Sequence, residues 1–149
     1  MHFFSFQQFR VNRLNLRLGL YNKRFEVFKL FLAFVKAISE ATEQEWTQHE
    51  NGQGDGKIRK AYGGIVTARE EAAYLFDPND GINGIIAKAM EESLHIGNLK
   101  RYSNLPGLGP ESKNELLKRS MQAHANIHAM EKLFKKRLVR YLSFRYIIP

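Results

Sequence analysis

Residues Leu14 to Val35 read LNLRLGLYNKRFEVFKLFLAFV, and this stretch decides the fold. Leu14, Leu18, Tyr21, Phe25, Phe28, Leu32 and Val35 recur at spacings of 4, 3, 4, 3, 4 and 3 residues. That alternation holds one face of an α-helix toward a partner over several turns. A second row, Val27, Phe31, Phe34 and Ile38, lies beside the first and widens the apolar face. The second half of the helix is therefore expected to pack against more than one neighbour. No proline interrupts the pattern, which predicts one long helix from Gln8 to Glu43.

Beyond it, QHENGQGDG at 48–56 is polar and glycine-rich and predicts a flexible loop. Ile58, Ala61, Ile65, Ala68, Ala72 and Leu75 return to helical spacing, with Gly63 and Gly64 predicting a kink or a close helix crossing. The pair Asp77-Pro78 ends that helix, because the residue before proline is pushed out of the α region. A third helix is expected from Asp80 or Gly81, with Ile82, Ile85, Ile86, Ala89, Met90 and Leu94 inward. The breaker cluster NLPGLGP at 104–110 separates it from a last helix opening at Pro110 with Glu111 in its first turn. Leu116, Ala123, Ile127, Met130, Phe134 and Tyr141 mark the inner face of that helix. There is no sustained strand-like alternation. The expectation is an all-α, antiparallel bundle of about four helices with long N- and C-terminal members. It would form a single domain over 1–149, with residues 1–13 as an extension for interaction or a membrane interface.

The bulk composition agrees. The chain has 149 residues, 44% of them hydrophobic, enough to bury one core. It has no cysteine, which excludes a disulfide framework, a thiolate metal site and a cysteine nucleophile. The net charge of +8 is concentrated at the two ends. Residues 1–38 carry seven Lys/Arg against Glu26 alone, and residues 101–149 carry ten against three acids. The expected location is cytoplasmic, with a peripheral membrane position as an extension of that reading. No apolar run is long enough for a span, and the N-terminus lacks the pattern of a secretory signal.

Three stretches carry a resemblance: RLGLYNKRFEVF at 17–28, AREEAAYLFDP at 68–78 and VRYLSF at 139–144. Together they resemble a widespread group of small uncharacterised bacterial helical proteins with the pattern LxLYxxRFxVF, A-x-FLF and PYLxF. Members of that group often begin with a membrane-spanning helix, which this sequence lacks. The resemblance implies a helical architecture and a bacterial origin, and no chemistry.

Several constellations are candidate sites. His124 and His128 sit one helical turn apart and, with His95, are weak candidates for a metal site. The HExxH glutamate is absent, so no hydrolytic base accompanies them. GQGDGK at 52–57 and DPNDGING at 77–84 are near-misses to phosphate and calcium loops, and read as a loop and a capped turn. Glu70, Glu71, Glu91 and Glu92 read as exposed acids. Arg24, within the aromatic seam, is expected to pair with Glu70 or Glu71. Lys132, Lys135, Lys136, Arg137, Arg140 and Arg145, with Tyr141 as a stacking platform, form the strongest basic patch. Phe3, Phe4, Phe6 and Phe9, followed by Arg10, Arg13 and Arg17, suit a partner surface or a membrane interface.

The leading expectation is a non-catalytic protein–protein interaction or scaffold module. It would act through its N-terminal amphipathic helix, on a second copy or another protein, without a cofactor. The alternatives are a basic protein binding nucleic acid or anionic membrane, and a metal-dependent enzyme using His95, His124 and His128.

Overall fold

The computed structural model describes residues 2–50, 52 and 56–142, with the side chains of 2–4 left out. Among these the chain is all-helical. Its elements are α1 (His2–Glu40), α2 (Glu43–Glu50), α3 (Lys57–Leu75), a 3-10 turn (Pro78–Asp80), α4 (Ile82–Ser103) and α5 (Pro110–Leu142). No helix among the described residues is long and apolar enough to cross a membrane.

The long first helix exists, but its inward face is mainly the second apolar row. Val27, Phe31, Phe34 and Ile38 are buried, and of the heptad seam only its last residue, Val35, is buried with them, whereas Leu14, Leu18 and Phe25 are 38–40% exposed. The reason lies in the partners. Gly64 of α3 faces Leu30, and a Cβ at that glycine would stand 3.3 Å from Leu30 Cδ2. Phe34 meets the Tyr62 ring edge-on at 5.5 Å. Phe134 of α5 stacks on Phe31 at 4.1 Å and on Phe28 at 6.2 Å. These contacts begin about two-thirds of the way from the first seam residue to the last, so among the described residues Leu14 and Leu18 lie before the helices that cover the rest of α1.

The predicted α1 end and the predicted loop both shift. Thr42 and Glu45 form a reciprocal cap: the Glu45 amide donates to Thr42 Oγ1 (3.1 Å), and the Thr42 amide donates to Glu45 Oε2 (3.4 Å). This capping box starts a new helix, so α1 stops at Glu40 and residues 48–50 belong to α2 rather than to the loop. Of the expected loop, 51 and 53–55 lie outside the described residues. Trp46 fixes α2 to α4 by lying against Gly97, where a Cβ would come within 3.0 Å of its Cζ3.

The inward faces of α3 and α5 follow the sequence, with Ile58, Ile65, Ala68, Ala72, Leu75, Ala123, Ile127, Phe134 and Tyr141 buried. On α4, Ser93 replaces Leu94, which is 57% exposed. A serine is tolerated inside because its hydroxyl donates to the Met90 carbonyl and shares a 2.7 Å hydrogen bond with Tyr62. Further along, Asn126 of α5 donates to Glu92 of α4 at 3.2 Å.

Candidate interaction surface

Arg24 marks where α1 leaves the helical core. Its Nε donates to the carbonyl of Leu75, the last residue of α3, at 2.8 Å. Helix C-termini leave such carbonyls unpaired and carry partial negative charge, so a guanidinium is a natural cap there. The same guanidinium lies 4.7 Å from the Tyr141 ring centroid and 5.9 Å from that of Phe76. Tyr141 in turn meets Phe76 edge-on at 5.0 Å, and its hydroxyl accepts from the Asp77 amide at 3.2 Å. Burial lowers the Arg24 pKa below its ordinary value. The expected ion pair with Glu70 or Glu71 is not the contact made, and both acids are exposed. The three stretches that carry the resemblance thus meet at one junction, through Arg24, Phe76, Asp77 and Tyr141.

Past this junction α1 continues as an arm. Residues 2–19 would span roughly 27 Å at the usual rise of an α-helix. Phe6, Phe9 and Leu16 are 61%, 62% and 67% exposed, and Val11 is exposed with them. Arg10, Arg13 and Arg17 alternate with these apolar groups, and the first acid of the chain is Glu26, held by Lys29 at 2.7 Å. Of the expected interaction residues, Phe6, Phe9, Arg10, Arg13 and Arg17 therefore share this arm. Phe3 and Phe4 lie on it by sequence, but their side chains are outside the description.

The C-terminal basic patch is weaker than its sequence. Lys135 pairs with Glu131 at 3.1 Å and Arg140 with Asp80 at 3.2 Å, and Arg137 donates to the Asp80 carbonyl. Lys132 and Lys136 remain outward, and Arg145 lies outside the described residues. Tyr141, expected as a stacking platform, is buried under Arg24 and so closed to a base. The DPNDGING segment serves the fold. The Asp77 carboxylate accepts from the Asn79 amide at 2.9 Å, and Gly81 has φ +69°, with Arg137 packed where a side chain would go.

The histidines do not converge. Among the described residues no three His, Asp or Glu side chains are placed to hold a metal ion, so His95, His124 and His128 are not brought together as a ligand set in this structure. His95 is exposed on α4, and His128 Nδ1 lies 3.6 Å from Glu131 Oε2. His124 is held below the usual imidazole pKa by burial, then by the charges of Lys100 and His128. A lysine beside an imidazole repels a cation, which is why the helical spacing alone misleads.

Sequence reading missed an aromatic cleft of about 210 Å³ between α2 and α4. His49 stacks on Tyr62 at 5.8 Å, Trp46 meets His49 edge-on at 6.4 Å, and Arg101 borders the opening. The available signal was the Trp46-x-x-His49 spacing on a short capped helix, which needed the capping box to be recognised first. No family model, curated protein or solved structure matches the chain.

Proposed function

We propose that this chain is a non-catalytic interaction module whose α1 arm docks into an apolar, acid-rimmed groove on a protein partner. The observation that carries the reading is the exposure of Phe6, Phe9 and Leu16 on a helix that runs past its packing partners among the described residues. Apolar groups of this size, ringed by cations, mark binding surfaces. Charge selects the partner. Arg10, Arg13, Arg17, Lys23 and Arg24 precede any acid, so two arms laid face to face would repel. An acidic rim would attract the same arm and raise its association rate. The arrangement behind the arm is read as an antiparallel four-helix bundle of α1, α3, α4 and α5, with the arm as an extension of its first member. Its support is the sense of the crossings: Leu30 lies by Gly64 and Arg24 by Leu75, while Phe31 lies by Phe134 and Arg24 by Tyr141.

A photo-crosslinking residue at Phe9 tests this in the cells that make the protein, with the exposed Tyr74 of α3 as control. The expected result is a discrete protein adduct from position 9, none from position 74, and loss of the adduct in Arg10→Glu/Arg13→Glu/Arg17→Glu. Equal adducts at both positions would overturn the reading. Adducts that consist of this chain alone would assign the arm to self-association. Arm-dependent sedimentation with anionic vesicles, without a protein adduct, would assign it to a membrane surface.

A further inference from the structure

A second feature, independent of the arm, lies on the opposite stretch of α1. A groove of about 600 Å³ follows the contact between the C-terminal half of α1 and the start of α3. Leu30, Ala33, Phe34, Ala37, Ala61 and Gly64 make its apolar lining. A volume of this size with apolar walls and a few charged groups is what small-molecule sites have in common. The lining is graded along its length. Leu30 and Gly64 close the apolar end, and Glu40, Glu45 and Lys57 stand at the other. There Glu45 is already engaged by the Thr42 amide and lies 3.8 Å from Lys57. Lys36 on the α1 wall and Lys60 on the α3 wall are exposed and make no ion pair among the described residues. Among the described residues Glu40 is the one remaining acid at the border against Lys36 and Lys60, so the unpaired charge there favours an anion.

The lining and its charge narrow the occupant. Ala33, Ala37, Ala61 and Gly64 are small, and leave an apolar strip along which an alkyl chain can lie. The arm of a second copy is excluded by sign, since Arg10, Arg13 and Arg17 would face Lys36 and Lys60. We infer that the groove binds a single-chain anionic amphiphile, an alkyl chain bearing a carboxylate or phosphate. Its tail lies over Ala33, Ala61 and Gly64, and its head lies between Lys36 and Lys60.

The test is a titration of the full-length protein, labelled at its alanine methyl groups, with laurate below its micelle concentration. Dodecyl phosphate, dodecanol and dodecylammonium run in parallel. Saturable shifts confined to Ala33, Ala37 and Ala61 are expected with laurate or dodecyl phosphate, and the stronger of the two names the head group. Lys36→Glu/Lys60→Glu should weaken the anions about 10-fold or more, given the usual strength of exposed charge pairs and their reversal. The same variant should change dodecanol less than about 3-fold, because only the tail is then read. Ala33→Phe, placed on an exposed wall, should abolish tail binding while circular dichroism stays unchanged. Absence of saturable shifts with either anion would overturn the inference. Dodecylammonium binding as well as laurate, or shifts spread over the arm, would also overturn it. An acidic helical peptide that shifts these alanines where laurate does not would return the groove to a protein partner. Arm variants should leave laurate binding intact, which separates this result from the interaction reading above.

Discussion

Replacing Arg24 with leucine removes the contact that joins three separate stretches of the chain. The Nε hydrogen bond to the Leu75 carbonyl is charge-assisted and 2.8 Å long. Bonds of this kind contribute about 1.5–3 kcal/mol, and the partial exposure of Arg24 argues for the lower end. Stacking of the guanidinium on Tyr141 at 4.7 Å adds about 0.5–1 kcal/mol. Arg24→Leu should therefore cost about 2 kcal/mol, read as a lowered midpoint in urea by circular dichroism at unchanged slope. The thermal midpoint should fall by about 4–8 °C for a chain of this length. Arg24→Lys keeps the charge but loses the planar stacking, and should recover about half of the loss. Tyr141→Phe keeps the ring and removes only the acceptor for the Asp77 amide, at about 1 kcal/mol. A double-mutant cycle between Arg24→Leu and Tyr141→Leu should show coupling of at least 0.5 kcal/mol. If Arg24→Leu lies within about 0.5 kcal/mol of the parent, or the cycle is additive, the junction does not hold the helices as described.

Gly97→Val should push against Trp46, which a Cβ there would approach to 3.0 Å. Overpacking of this kind costs about 1–3 kcal/mol, and the emission of the single tryptophan should move to the red. An unshifted spectrum would mean that α2 is not seated on α4. Amides of residues 5–18 should exchange with solvent far faster than those of 27–38, because the arm has no tertiary cover among the described residues and Val27, Phe31, Phe34 and Ile38 lie in the core. Equal protection by mass spectrometry would argue that another surface covers the arm. His124 carries a pH signature of fixed sign. Its folded pKa lies below its unfolded one, so in that interval the unfolded chain holds more protons and stability rises with pH. The thermal midpoint should therefore fall as pH drops through the imidazole range. Both His124→Gln and Lys100→Met should flatten that slope, and an unchanged slope in His124→Gln would refute the assignment.

The helices were legible wherever apolar spacing and a breaker coincided. The start of α3 just before Ile58, its stop ahead of Asp77-Pro78 and the start of α5 at Pro110 agree in both readings, because glycine, Asp77-Pro78 and the 104–110 cluster leave few conformational choices. The face of α1 was not legible in the same way. Two adjacent rows of large apolar residues satisfy helical periodicity equally, and only the lengths of the partner helices decide which is covered. Leu94 and Ser93 exchanged roles for a related reason: a buried hydroxyl is acceptable only if Tyr62 and a carbonyl reach it, and those lie 31 and 3 residues away. Charge runs misled most at the C-terminus. The linear sequence around Arg137 and Arg140 does not reveal that Asp80 would meet them across the fold. Trp46 and His49 stayed hidden because the turn at Thr42 reads as a continuation of α1 until Glu45 is recognised as its reciprocal cap.

The unbroken passage of α1 from core to arm has a kinetic and entropic consequence. Starting a helix in water is unfavourable, and isolated segments shorter than about 12–15 residues hold their shape poorly. Here the first turns are already fixed by Val27, Phe31 and Phe34, so the arm has only to extend an existing helix outward. A partner would meet residues whose backbone order was set before the encounter, and less conformational freedom would be lost on contact than for a disordered tail of the same sequence. A peptide of residues 1–25 alone should then bind the same partner with a larger unfavourable entropy and weaker affinity than the intact chain. A stiffer bundle should tighten binding at a surface that it never touches.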